Sequence, residues 1–280
     1  MLLHCGSRVL DLSAPLVMGV LNVTPDSFSD GGRFFDPAQA LDRAAQMVAE
    51  GAAIIDVGGE STRPGAAEVT VVEELQRVVP VIEAIRARHD MLVSVDSSKP
   101  EVMRAAVAAG AHIINDIRAL TEPGALQAAA ASGAAVCLMH MQGQPETMQA
   151  APRYRNVVNE VGLFLEERIK ACIQAGIAAE RLIVDPGIGF GKSVEHNLAL
   201  IAHLPAIRRF SLPILIGASR KSFIGAVLGQ PLEQRLHGGL AVAAAAILAG
   251  AQIIRTHDVG ATCDAVRMAH ALRQAGYATD

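Results

Sequence analysis

The sequence has little of what would tie a chain to a membrane, to nucleic acid or to a disulfide framework. No apolar run approaches the roughly 18 charge-free residues that span a bilayer, and the longest, Leu240 to Ala251, is too short. The start, Met1-Leu2-Leu3-His4-Cys5, lacks the long apolar core of a secretory signal, so a cytoplasmic location is expected. Basic charge is not in surplus: 24 Lys and Arg against 28 Asp and Glu leave a net charge of -4. A protein that neutralises nucleic-acid phosphates needs a basic face, so neither nucleic acid nor membrane is an expected partner and small molecules are. The four cysteines, Cys5, Cys137, Cys172 and Cys263, show no CxxC and no paired histidine spacing. That leaves no zinc site and no disulfide pattern, and implies reduced, mostly buried thiols.

Two nucleotide signatures are missing as well. The run Asp185-Pro186-Gly187-Ile188-Gly189-Phe190-Gly191-Lys192-Ser193 has the glycine density of a nucleotide loop, yet Pro186 and Lys192 stand where a phosphate loop and a dinucleotide fingerprint each need Gly. It reads as a flexible loop that carries Phe190.

What is present is apolar material, 51% of 280 residues, arranged in a repeat. One domain over 1–280 is expected, with residues 1–15 a short strand or hairpin closing one end. Apolar runs at Leu16–Leu21, Ala53–Val57, Leu92–Val95, His112–Ile117, Ala135–Met139, Leu182–Val184, Pro213–Ile216 and Gln252–Ile254 make eight candidate strands. Helix-period segments fall at Pro37–Glu50, Val72–Arg88, Pro100–Ala109, Gly124–Ser132, Asn156–Ala175, Val194–His203, Ser222–Leu228 and Gly238–Ala249. Asp36-Pro37 and Lys99-Pro100 open helices with Pro in the first turn, and glycines such as Gly51 and Gly250 close them. Strands apolar throughout are buried on both faces, so the pattern predicts an α/β fold, a single-domain (β/α)8 TIM barrel.

The strands end in polar residues: Asn22, Asp56, Asp96, Asn115-Asp116, His140, Asp185, Ser219-Arg220-Lys221 and Arg255-Thr256-His257. In a barrel these ends converge on one mouth, where buried polar groups need partners or a ligand. After the first strand comes a long polar loop with Asn22, Asp26, Phe28, Asp30 and Arg33, and after the second Ser61-Thr62-Arg63-Pro64-Gly65, suited to closing over a ligand. Asp96, Asn115 and Asp185 offer acceptors for a flat heterocycle with several N–H groups on one edge. A hard cation is the rival occupant, and a barrel ion pair with Lys221 or Arg255 the purely structural role. Gly217 to Ser222 opens a helix after the seventh strand and, with Arg255 and His257, reads as an anion site. His140, between Met139 and Met141, reads as a packed, hydrogen-bonded residue. The Ala-rich helix from Gly239 to Ala251 is apolar on most faces, which predicts a barrel on one side and a second subunit on the other, hence a homodimer.

Together these residues resemble the dihydropteroate synthase family of the folate pathway. NVTPDSFSDGG, IDVGGESTRPG, SVDSSKP, IINDI, LMHMQG, DPGIGFGK, GASRKSFIG and IIRTHDV run in that family's order over essentially the whole chain. The resemblance implies that Asp96, Asn115, Asp185 and Lys221 form a pterin pocket, with Met139 and Arg255 packing about the ring. It implies that Asn22, Thr62, Arg63, Arg255 and His257 handle a diphosphate, Asn22 also approaching Mg2+. Phe28, Thr62, Pro64, Phe190, Ser219, Lys221 and Ser222 would frame 4-aminobenzoate, and Asp30, Arg63, Lys221, Arg255 and His257 would form the catalytic set. The implied reaction joins 6-hydroxymethyl-7,8-dihydropterin diphosphate to 4-aminobenzoate, releasing diphosphate, with sulfonamides competing for the second site. Ser98, Ala218 and Ile188 depart from the family's usual residues and bear on loop packing and inhibitor fit. A pterin-binding methyltransferase barrel and a non-catalytic pterin-binding module are the alternatives; neither needs both the anion site and the loop residues Asp30 and Arg63.

Overall fold

The computed structural model describes residues 1–24, 37–61, 69–145 and 147–277. The chain starts with an antiparallel hairpin, β1 (Leu2–Cys5) and β2 (Arg8–Asp11), in which Leu3 faces Leu10. Eight parallel strands follow: β3 (Leu16–Asn22), β4 (Ile54–Gly58), β5 (Leu92–Asp96), β6 (Ile113–Asp116), β7 (Ala135–Met139), β8 (Leu182–Asp185), β9 (Leu215–Ile216) and β10 (Ile253–Thr256). They pair in the order β8-β7-β6-β5-β4-β3-β10-β9. A single bridge from Val184 to Ile214, with Val184 N–H donating to the Pro213 carbonyl at 2.9 Å, joins β8 to the segment entering β9 and closes a TIM barrel.

The helices are α1 (Pro37–Ala49), α2 (Val71–Arg88), α3 (Pro100–Ala108), α4 (Ala125–Ser132), α5 (Val157–Gln174), α6 (Val194–Ala202), α7 (Ser222–Leu228), α8 (Leu236–Leu248) and α9 (Val259–Gln274). The last of these is not among the helices read from the sequence. Val259, Thr262, Cys263, Val266 and Ala269 bury at helical spacing, but they are small or polar, and Asp258 makes no side-chain cap bond to mark the start. The helix of Gly238–Ala249, expected to be the eighth of the barrel, is α8, an extra helix beside α7 between β9 and β10; α9 fills the eighth place. Among the described residues no helix is long and apolar enough to cross a membrane.

Strand residues alternate between two cores, as the two-residue period of a strand requires. Ile55, Val57, Val93, Val95 and Ile114 face the helices. Met18, Ile54, Leu92, Ile113, Ala135, Cys137, Ile183, Leu215 and Ile253 form a separate inner cluster, which Leu3, Cys5 and Leu12 of the N-terminal hairpin complete. These inner residues lie at the starts of the strands, so the hairpin plugs the end of the barrel opposite the strand C-termini. Gly6 N–H donates to the Gly133 carbonyl at 3.1 Å and pins it there.

Candidate active site

Two residues beyond four members of the inner cluster, on the same face of the strand, stands a site residue. Ile54 leads to Asp56, Ile113 to Asn115, Ile183 to Asp185 and Ile253 to Arg255; four residues beyond Met18 and Leu92 come Asn22 and Asp96. The barrel thus sorts its inner face by depth, apolar at the plugged end and polar towards the mouth.

Arg255 is the hub. Its Nε donates to Asp56 Oδ2 and its Nη2 to Asp96 Oδ2, both at 2.6 Å. The ion-pair role is therefore real for Asp96, although its second oxygen remains for a ligand. Asn115 Nδ2 donates to the same Asp56 oxygen at 2.9 Å. Burial pushes the Asp96 carboxyl up to about 7, against the pull of Arg255. Burial also raises Asp185, whose Oδ1 accepts from Gly187 N–H at 2.7 Å. Met139 is buried at the end of β7, paired with Asp185 in the ladder.

Lys221 occupies the N-cap of α7, where its side chain makes no capping hydrogen bond. Its ammonium donates to the Ile188 carbonyl and lies 4.2 Å from the centre of the Phe190 ring, a cation–π contact. Burial pulls this lysine down to about 7, with Asp185 acting the other way. Ser222, first in α7, is exposed. Ser219 engages His257: its Oγ accepts from His257 N–H at 3.2 Å and lies 3.1 Å from the ring Nδ1. The His257 carbonyl accepts from Arg43 Nη2 at 2.7 Å. Phe28, Asp30, Thr62, Arg63 and Pro64 lie outside the described residues.

Three expectations need correction. Asp56 does not end its strand: β4 runs on to Gly58, and Asp56 sits wholly buried below the mouth. Asp116 faces away from the barrel interior, where it accepts from Ser98 Oγ at 2.5 Å, Arg118 N–H at 2.8 Å and Leu120 N–H at 2.7 Å; it shapes a turn in which Ala119 and Leu120 both have positive φ. The glycine-rich loop after β8 is braced. Asn197 Oδ1 accepts from Gly189 N–H at 2.6 Å, Tyr154 Oη donates to the Gly191 carbonyl at 2.9 Å, and the buried Lys192 ammonium reaches the Phe190 carbonyl at 3.0 Å and His140 Nδ1 at 2.9 Å. His140, read as a packed residue, is that: buried, edge-on to Phe164 with ring centres 5.0 Å apart, and pulled down to about 3 by burial, hence neutral. The Lys192–His140 brace went unread because its partners lie 52 residues apart.

Among the described residues no group of three His, Cys, Asp or Glu could hold a metal ion. Asn22, half-buried at the mouth, offers one amide; a Cβ built on Gly58 would lie 3.7 Å from its Oδ1 and 3.4 Å from Asp96 Cβ, so the missing side chain keeps the space between them open. One amide does not hold Mg2+ by itself, but it suits an ion whose other ligands are water and substrate phosphate.

The fold and these residues define a barrel enzyme that binds a polar heterocycle near cationic groups, and the family model described as pterin binding enzyme matches residues 18–257. The dihydropteroate synthase of Escherichia coli K12 is 57% identical over 271 residues, covering 97% of this chain and 96% of that one. The Haemophilus influenzae dihydropteroate synthase is 54% identical over 96% of this chain and 98% of its own. Among solved structures, Yersinia pestis dihydropteroate synthase in a sulfonamide drug complex superposes with a TM-score of 0.93 at 53% identity, covering 98% of this chain and 100% of that one. The Xanthomonas albilineans enzyme in complex with 7,8-dihydropteroate gives 0.89 at 47% identity, over 98% and 99%. The chain belongs to the pterin binding enzymes and, within them, to the dihydropteroate synthases.

Proposed function

We propose that this protein condenses 6-hydroxymethyl-7,8-dihydropterin diphosphate with 4-aminobenzoate to give 7,8-dihydropteroate and diphosphate. The observation that carries the reading is the convergence of Asp96, Asn115 and Asp185, three acceptors on the inner face, with Arg255 and Lys221 beside them. The acceptors take the N–H edge of the pterin, Met139 and Arg255 flank its ring, and Lys221 serves both ring and carboxylate. Phe190, Ser219 and Ser222, with Phe28, Thr62 and Pro64 from the loops, frame 4-aminobenzoate. Asn22, Thr62, Arg63, Arg255 and His257 receive the diphosphate.

An aryl amine is neutral near pH 7 and needs no strong base, whereas diphosphate leaves only when its charge is met. Catalysis is then mainly electrostatic: Arg255 and His257, with Arg63 from the loops, stabilise the departing anion while the pocket holds a pterin methylene with cationic character. Bound Mg2+, approached by Asn22, would neutralise phosphate charge. The protein acts as a cytoplasmic homodimer: four free buried cysteines suit a reducing compartment, and the exposed apolar side chains Val227, Leu228, Met268 and Leu272 on α7 and α9 flank α8.

The test is to mix protein, Mg2+ and both substrates and assay 7,8-dihydropteroate and diphosphate. Neither product, from protein that binds the pterin, would favour a non-catalytic module; methyl transfer from a folate would favour the methyltransferase barrel.

A further inference from the structure

We propose that Asp56 is a positioning residue that fixes which end of the Asn115 amide a ligand meets, and so makes the pocket select a ring by its N–H edge. The inference rests on the reading that the ring lies against Asp96, Asn115 and Asp185. Asp56 itself is wholly buried in β4, two residues below Gly58.

A carboxylate only accepts hydrogen bonds. Because Asn115 Nδ2 donates to Asp56 Oδ2 at 2.9 Å, the amide oxygen is the end left for a ligand. Turning the amide over would set its oxygen against a carboxylate oxygen in a buried, low-dielectric place, so Asp56 permits one orientation. The same Oδ2 takes Arg255 Nε at 2.6 Å while Asp96 takes Nη2, so the guanidinium plane is fixed between carboxylates of β4 and β5. One oxygen therefore sets both the polarity of Asn115 and the tilt of Arg255. Oδ1 has no hydrogen-bond partner among the described residues, so the shared oxygen is the working one.

This division predicts different results for two substitutions. Asp56→Asn keeps an acceptor at the Oδ2 position, with its NH2 group at the place of Oδ1, so the orientation of Asn115 persists. Asp56→Ala removes the acceptor, and Asn115 is free to present its NH2 group to the ring. The measurement is calorimetric affinity for 6-hydroxymethylpterin and for 6-hydroxymethyllumazine, in which a carbonyl acceptor replaces the 2-amino donor.

The parent and Asp56→Asn should prefer the pterin by similar factors. In Asp56→Ala that preference should shrink roughly tenfold, the order expected for one hydrogen bond to a charged or polar partner. Should Asp56→Ala not fold, Asp56→Val retains more volume and carries the same expectation. A structural role alone would weaken both rings equally; an unchanged preference in Asp56→Ala, or an equal loss in Asp56→Asn, overturns the proposal. Asn115→Ala separates the two readings. If it leaves both affinities unchanged, the ring does not meet Asn115 and the pocket assignment fails together with this proposal. If it lowers the preference while Asp56→Ala does not, only the role of Asp56 fails.

Discussion

Lys221 and Asp96 are brought to about 7 from opposite directions, both by burial. A ring N–H edge needs Asp96 as the carboxylate, whose population rises with pH; the acceptors of the same ring, and the carboxylate of the second substrate, need Lys221 as the ammonium, whose population falls. The pH profile of kcat/KM for the pterin diphosphate should therefore be a bell centred near neutrality, each limb approaching tenfold per pH unit. Lys221→Arg, always charged, should flatten the alkaline limb, and Asp96→Asn the acid limb at a lower optimum. A flat parent profile from about pH 6 to 8.5 would show that Arg255 and Asp185 hold both charges against burial. Asp185→Asn should weaken pterin binding on the order of ten- to a hundredfold, by loss of a charge-assisted acceptor, with the unfolding midpoint little changed. These residues were legible because a carboxylate or amide that ends an apolar run stands out. Asp56 was misplaced by two residues for the opposite reason: the strand continues through Val57 and Gly58, and a glycine gives no sign of which state it is in.

The loop after β8 shows how one element sets the geometry of another. Gly187 has φ +69°, and a Cβ there would stand 1.8 Å from the His140 carbonyl oxygen, a backbone atom that cannot step aside. At Gly189, φ +83°, the Cβ would meet Lys221 Cδ at 2.5 Å, part of a flexible side chain. The two alanine variants should therefore separate. Gly187→Ala should lower stability by about 1 to 3 kcal/mol and activity with it. Gly189→Ala should raise the KM for 4-aminobenzoate through Lys221, with the smaller change in unfolding midpoint. Equal thermal shifts would show that the positive φ, common to both, governs rather than the contact. The sequence marked this loop by its glycines but not its rigidity, since the braces come from Tyr154, in the segment before α5, and Asn197 in α6. Helix starts at Pro37 and Pro100 were plain from local chemistry; α9 was not, because its buried stripe of Val, Thr, Cys and Ala has little contrast with its exposed side.

At the scale of the whole barrel, the apolar runs foretold eight strands, but not how firmly each is held, because that depends on register rather than composition. The plugged end and the mouth are energetically separable. Leu3, wholly buried beneath the strands, should cost about 2 to 5 kcal/mol of stability when cut to Ala while kcat/KM stays within about twofold, because the mouth lies at the other end. A large catalytic loss at full folding would mean the plug sets the site. The strands themselves are unequally secured. β4 is paired over five positions with β3 and five with β5, whereas β9 pairs with β10 at only two and meets β8 through the single Val184–Ile214 bridge. Opening of the barrel should begin at that seam, so the amides of Leu215 and Ile216 should exchange with solvent ahead of those of Ile55 and Val57. The proposed ligand contacts straddle the same seam: Asp185 ends β8, Lys221 follows β9 and Arg255 lies on β10. A ligand held by all three links the strands where their own hydrogen bonds are fewest. Adding the pterin should then slow exchange at Leu215 and Ile216 by a larger factor than at Ile55 and Val57. Uniform slowing would instead mean that the ligand stabilises the barrel only as a whole, by mass action on global unfolding, and that the seam is no weaker than the rest.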